Sequence, residues 1–286
     1  MSTSSNIPDI LDYYDATGRD YARLWSGQEA RAIHFGLWQD GVDSHEASLE
    51  RMNLEMARQA DLEPGRLVVD LGCGVGGTDV WLAREYDATV TGVTIVPEQA
   101  EAARAAAAER GLQESCTFVV ADFVDTGLPG ASFDVVWTQE SVSHAPDRSL
   151  VLTEARRLLR PGGVLVQEEI YRGSAPRTAR SDRDVTQMCE AWKIAELPTR
   201  DEYQAQLADA GFDRLQWTDL TPWITPSLRK LRDISRVYGP LAKGAERSGR
   251  MSSTRAQNII AAPAAWRAHK AGAWCMAITT ARAPLG

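Results

Sequence analysis

Several large protein classes are excluded by what this sequence has little of. It carries four cysteines, Cys73, Cys116, Cys189 and Cys275, spread along the chain without the paired spacing of a metal site. No metal is expected, and with no secretory context the thiols read as reduced and the location as cytoplasmic. No apolar run approaches about 18 residues, so no membrane span is expected. The start, Met1-Ser2-Thr3-Ser4-Ser5, lacks the basic and apolar regions of a signal peptide, and residues 1–6 read as a loose tail. Basic residues are not in excess either. The formal net charge is −8, which argues against a nucleic-acid partner. No internal repeat is visible. What remains is an ordinary globular composition, 44% hydrophobic and 24% charged over 286 residues, enough for one large domain or a core with a cap.

The chain is organised around Val68-Val69-Asp70-Leu71-Gly72-Cys73-Gly74-Val75-Gly76-Gly77. A short apolar run ends in an acid and breaks into glycines, and a helix-like segment follows over 78–85. This reads as strand, tight turn and helix start. Glycines let the backbone turn sharply and let a ligand approach it, and the helix start adds unpaired N–H groups. The loop is therefore a socket for the polar part of a nucleotide-like cofactor. Gly72, Gly74 and Gly77 also fit the dinucleotide fingerprint G-x-G-x-x-G. An NAD site calls for an acid after the second strand, about 20 residues on. Thr94 stands there, which disfavours NAD.

Elements alternate after the loop. Strands are expected over 88–93, 116–120, 133–137 and 164–168, the last behind a Pro161-Gly162-Gly163 turn, and helices over 97–109 and 150–159. This predicts an α/β fold: a Rossmann-like, doubly wound, mostly parallel sheet with helices on both faces. Asp70, Thr94, Asp122 and Gln139 fall at carboxyl ends of strands, where ligands bind in such sheets. Upstream, a helix over 44–60 starts on Ser44. Downstream, residues 171–198 read as irregular. Thr199 to Glu202 has capping-box spacing for a helix ended by Gly211. A strand is expected over 212–220, a basic helix over 226–237, no clear structure over 241–256, and a final strand over 273–280 that closes the sheet with an antiparallel edge.

Taken together, the glycine loop, Ala121-Asp122-Phe123 after the third strand and the Pro-Gly-Gly turn resemble the S-adenosylmethionine (SAM) dependent methyltransferases with a Rossmann-like core, strongly over 62–168. Asp12-Tyr13-Tyr14-Asp15 and His34-x-Gly36-x-Trp38 resemble the N-terminal lid of small-molecule members such as the tocopherol and sarcosine-dimethylglycine enzymes. The resemblance implies four regions: a helical lid over 1–60, the SAM-binding core over 61–170, a cap or substrate segment over 171–198, and the rest of the sheet with substrate-side helices over 199–286. It implies SAM as cofactor, held by Asp70, Gly72, Cys73, Gly74 and Gly76, by Thr94, Ile95 and Gln99 at the ribose, by Asp122 and Phe123 at the adenine, and by Gln139.

The fourth strand runs into Gln139-Glu140-Ser141-Val142-Ser143-His144-Ala145-Pro146-Asp147, a form that resembles sugar and other natural-product methyltransferases. The Asn/Asp-Pro-Pro-aromatic run of nucleic-acid amino-methyltransferases and the Pro-Cys of cytosine enzymes are both missing. Candidate catalytic groups are His144, Glu140, Glu169 and Tyr14. His144 has a pKa suited to proton removal at neutral pH, and Glu140, four residues earlier, shares its face if the turn is helical. Of Glu168 and Glu169, one is expected to face the site rim. Candidate acceptor contacts are Tyr13, Tyr21, Trp25, His34, Trp38, Trp192 and Arg172. A structural role in packing or capping stands open for each of these residues.

The expected activity is methyl transfer to a small-molecule acceptor in specialised metabolism, with no nucleic-acid or membrane partner and an open oligomeric state. Three alternatives remain at this level. One is C-methylation of a prenyl diphosphate, with Arg172, Arg177, Arg180 and Arg183 on the phosphates. The second is a SAM-binding fold relative that catalyses a cyclisation. The third, disfavoured, is an NAD-dependent oxidoreductase.

Overall fold

A computed structural model describes residues 6–25 and 30–285. The tail reading of residues 1–5 lies outside them. One sheet of 7 strands has the order β3-β2-β1-β4-β5-β7-β6. Its strands are β1 (Leu67–Leu71), β2 (Thr89–Thr94), β3 (Cys116–Val120), β4 (Phe133–Gln139), β5 (Leu159–Arg172), β6 (Asp213–Asp219) and β7 (Trp274–Arg282). β1 to β5 pair in parallel, whereas β7 runs antiparallel to both β5 and β6. The edge strand β6 thus pairs antiparallel with its one neighbour, and the expected mostly parallel sheet with an antiparallel edge is what forms.

Central β1 is nearly all apolar because helices cover both of its faces. Successive residues point to opposite faces, so Val68 packs in one apolar cluster and Val69 in the other. On the first face lie α3 (Gly77–Tyr86) and α4 (Pro97–Glu109). The α4 side facing the sheet is Ala100, Ala103, Ala106 and Ala107, small residues that let helix and sheet approach closely. On the second face lie α5 (Arg148–Leu158) and α7 (Arg200–Asp209). Winding reverses between β1 and β4, and this opens a crevice at their carboxyl ends. α2 (His45–Gln59) joins the first face, and α1 (Ile7–Leu24), α6 (Ala179–Trp192), α8 (Thr225–Arg247), α9 (Ser253–Ile260) and α10 (Ala262–Lys270) all contribute to the lining of that crevice.

Several elements differ from the sequence reading. Residues 171–198 are not all irregular, since α6 occupies half of them. Its capping box pairs Thr178 with Ser181, where the usual third-position residue is Glu or Gln. The helix expected over 226–237 runs on to Arg247 through Pro240, and α9 takes part of the stretch read as unstructured. Pro263 is tolerated in α10 because it falls in the first turn, where its missing N–H has no intrahelical partner to lose. The Pro161-Gly162-Gly163 turn lies inside β5, at an irregularity where the register with β4 shifts.

Candidate active site

The crevice is a cavity lined by the carboxyl ends of β1, β2 and β4 below and by α1, α8 and α9 above. Its floor is the glycine loop. The backbone N–H groups of Gly72 and Cys73 both donate to the Val93 carbonyl, at 2.9 and 3.0 Å, which ties the loop to β2. Gly72 holds φ +100, and a Cβ there would lie 2.3 Å from the Ser141 Cβ. Gly74 holds φ +53, and a Cβ there would meet nothing within 4 Å, so its backbone is open to a ligand. Gly76 caps α3 and does not line the cavity; a Cβ there would press on Ala103.

Asp70 faces the cavity, and its Oδ1 is buried without a hydrogen-bond partner among the described residues. Behind it stands the buried Asp79. Burial, and then the Asp79 charge, holds the Asp70 carboxyl well above its usual range, and burial raises Asp79 to about 7. The Thr94 hydroxyl donates to Gln99 Oε1 at 2.7 Å and accepts from the Val96 N–H at 3.2 Å. That leaves the Gln99 amide nitrogen for a ligand. Ile95, Asp122 and Phe123 complete this side, with the Val124 N–H donating to Asp122. Gln139 also lines the cavity, but its side chain is spent on Thr78, Trp137 and Asn53. An acid with one buried oxygen unbonded, a glycine loop open at Gly74 before a helix start and the amide of Gln99 at the ribose position fit the amino-acid and sugar ends of SAM.

The other half of the cavity holds His144, Tyr14 and Glu140. The turn over Val142–His144 is a single 3-10 turn, and Glu140 precedes it in the left-handed region at φ 50. The two residues therefore do not share a helical face, although both line the cavity. His144 Nδ1 lies 2.9 Å from the Lys193 carbonyl oxygen. A carbonyl only accepts, so Nδ1 carries the proton and Nε2 presents its lone pair. The Tyr14 hydroxyl donates to that lone pair at 3.0 Å. Burial pushes the His144 pKa down and the Tyr14 pKa up, which keeps both neutral at physiological pH. Asn6 donates to the His144 carbonyl at 2.8 Å.

Glu140 accepts from the Phe35 N–H, and burial raises its pKa to about 8. Glu168 is fully buried and held well above its usual range by burial and then by the Glu140 charge. Neither Glu168 nor Glu169 lines the cavity, contrary to the expectation for one of them. Glu169 instead accepts from the N–H groups of Ser141, Val142 and Ser143 at 2.9, 2.7 and 3.3 Å, which holds the turn that carries His144.

Tyr13, Tyr21, Trp25, His34 and Trp192 all line the cavity. His34 is buried, bonded through Nδ1 to the Phe35 carbonyl at 2.9 Å, and burial lowers its pKa to about 4. Trp38 and Arg172 do not line it. Trp38 donates to Ser227 Oγ at 2.8 Å, outside the chamber. Arg172 and Arg177 both pair with Asp182, while Arg180 and Arg183 are exposed. None of the four arginines faces the cavity, so they are not placed to hold a bound diphosphate.

The sequence reading missed Arg31, Asn258 and Asn6. Arg31 is the one Lys or Arg among the described lining residues, and it pairs with Glu109 at 2.7 Å. Asn258 reaches the cavity from α9, out of a stretch read as having no clear structure. No local pattern marks either residue, since both reach the cavity through contacts far along the chain.

A methyltransferase domain matches residues 69–167. The chain is 33% identical over 222 residues to the methyltransferase GfsG of Streptomyces halstedii, covering 77% of this chain and 78% of that protein. It is also 33% identical over 218 residues to the 27-O-demethylrifamycin SV methyltransferase of Amycolatopsis mediterranei, covering 76% and 78%. Among solved structures, the [4+2]-cyclase SpnF superposes with a TM-score of 0.83 over 99% of both chains at 24% identity, a likeness of fold. At the identity and coverage of the two methyltransferases, the chain belongs to the methyltransferase family.

Proposed function

We propose that this protein transfers a methyl group from SAM to a hydroxyl oxygen of a small, largely apolar natural-product acceptor in the cytoplasm. The observation that carries the reading is the Tyr14–His144–Lys193 chain, a neutral imidazole whose lone pair takes the hydroxyl of the cavity-lining Tyr14. SAM supplies an activated methyl on sulfur, and the protein's tasks are alignment, exclusion of water and proton removal. The acceptor hydroxyl gives its proton to the Tyr14 oxygen as Tyr14 passes its own to His144 Nε2. Bound SAM would supply the methyl group to the acceptor oxygen, its sulfur leaving with the electron pair of the bond that breaks. The Lys193 carbonyl, already bonded to Nδ1–H, stabilises the imidazolium that forms. Asp70 meets the ammonium of the cofactor, the Gln99 amide the ribose, and Asp122 the adenine amino group.

The two methyltransferase relatives support this reading, one of them named for an O-demethylated natural product. The test is a screen of hydroxylated polyketides, including 27-O-demethylrifamycin SV, with methyl-labelled SAM. It is followed by His144→Ala and Tyr14→Phe. We expect His144→Ala to lower turnover by roughly 10²-fold or more with S-adenosylhomocysteine affinity intact. Unchanged turnover would remove the proton relay from the mechanism.

A further inference from the structure

In the wall of the cavity built by α1 and α9, three polar side chains meet. The Tyr13 and Tyr21 hydroxyls lie 2.6 Å apart, and Asn258 Oδ1 lies 2.9 Å from Tyr13 and 3.2 Å from Tyr21. These are three contacts served by two phenolic protons. The protons fill the two shortest: Tyr21 donates to Tyr13, and Tyr13 donates to Asn258. The Asn258 amide nitrogen makes no hydrogen bond among the described residues, and the Tyr21 oxygen keeps a free lone pair. One donor and one acceptor are therefore left over, side by side in the cavity lining. Turning the amide over reverses the chain of donors but leaves the same inventory, with a Tyr21 O–H donor and an Asn258 carbonyl acceptor.

The helices that carry this cluster, with α8, also line the cavity with apolar side chains: Ile7, Ile10 and Leu24 from α1, Leu231 and Ile234 from α8, and Ile259 from α9. The one lining cation, Arg31, is paired with Glu109 of α4, on the cofactor side. An anionic acceptor head would find no free cation among the described lining residues, and of the lining acids Asp20 is taken by Arg255 while burial raises the Glu140 pKa to about 8. A donor beside an acceptor matches the two hydrogen-bonding faces of a hydroxyl, which gives one proton and accepts one. Leaving such a pair unfilled under an apolar ligand costs more than the contact gains, so the pair discriminates by what it lacks.

We infer that Asn258 and Tyr21 form a second recognition point of the acceptor site, taking a hydroxyl group other than the one that is methylated. The acceptor class is then a neutral lipophilic diol or polyol. This rests on the proposed methyl transfer for its first hydroxyl, but the pairing at Asn258 stands on its own geometry. Tyr13 is a positioning residue, since its proton fixes the Asn258 amide.

The test is calorimetric, with 1,8-octanediol to 1,12-dodecanediol compared with the 1-alkanols of equal length, each with and without S-adenosylhomocysteine. At least one diol is expected to bind about tenfold more tightly than its mono-alcohol. Asn258→Leu should erase that preference while S-adenosylhomocysteine affinity holds, and Tyr21→Phe should reduce it. Both variants are first checked by thermal melting, and the preference lost in either folded variant supports the assignment. No diol preference in the parent, or a preference that survives Asn258→Leu, overturns it. Absence of S-adenosylhomocysteine binding to the parent would count against the methyltransferase reading and not against the diol pair.

Discussion

At the scale of single residues, burial without counter-charge governs the chemistry. Glu140 has its pKa raised from 4.5 to about 8 by burial, so the folded chain holds a proton that the unfolded chain releases. Stability from this group is present below about pH 4.5 and is lost as pH rises through about 8. Glu140→Gln keeps the oxygen that accepts from Phe35 and removes the titration. Its thermal stability relative to the parent should therefore rise with pH between pH 5 and pH 8.5, by a few kcal/mol. A constant difference in melting temperature across that range would refute the assignment. His144 works the other way, because burial lowers its pKa below the usual value of about 6.5. The neutral base persists to lower pH than an ordinary imidazole, so the acid limb of the kcat profile should lie below the usual histidine range. Gly74 gives a third prediction. A Cβ there meets no protein atom but enters the space proposed for the cofactor. Gly74→Ala should weaken S-adenosylhomocysteine at least tenfold, with a strain of only about 1 kcal/mol seen in thermal melting. Calorimetry that finds parental affinity would move the cofactor elsewhere.

At the scale of elements, α1 closes the cavity through one long-range ion pair. Arg255 of α9 grips Asp20 of α1 with two hydrogen bonds of 2.6 and 2.7 Å. Asp20→Asn should speed hydrogen exchange of the α1 amides and leave the β1 amides protected. Slowed or unchanged exchange in α1 would assign its closure to its other contacts, among them Tyr14 with His144 and the Tyr13 and Tyr21 bonds to Asn258. The same scale shows what was legible in the sequence. The boundaries Pro97–Glu109 and Cys116–Val120 could be read directly, because a proline start, a glycine stop and a bounded apolar run all coincide there. The strand-end residues Asp70, Thr94 and Asp122 could be assigned to one crevice because parallel connectivity leaves them no other place. α6 was missed because Ser181 stands where a capping box usually has an acid or an amide. The Asn258 cluster was illegible for a deeper reason: its partners lie 245 and 237 residues away, and no local rule joins them.

At the scale of the whole molecule, the fold decides less than the site does. A cyclase shares nearly the whole architecture, so a Rossmann-like sheet with a helical cover is compatible with more than one reaction. The proposed methyl transfer draws on particular side chains: Asp70 with its unbonded Oδ1, the Gln99 amide and the neutral His144 with its lone pair on Tyr14. Cofactor choice can be checked by calorimetry, with SAM and S-adenosylhomocysteine binding at micromolar levels or tighter, roughly −8 kcal/mol, and NAD far more weakly. The most direct measurement follows the product itself. A hydroxylated acceptor from the screen is incubated with SAM carrying a deuterated methyl group, and the product is weighed by mass spectrometry. The account predicts a product heavier by one labelled methyl, attached to oxygen, whose formation drops roughly 10²-fold in His144→Ala. A product of unchanged mass with a new ring, or labelled product formed equally well by His144→Ala, would contradict it.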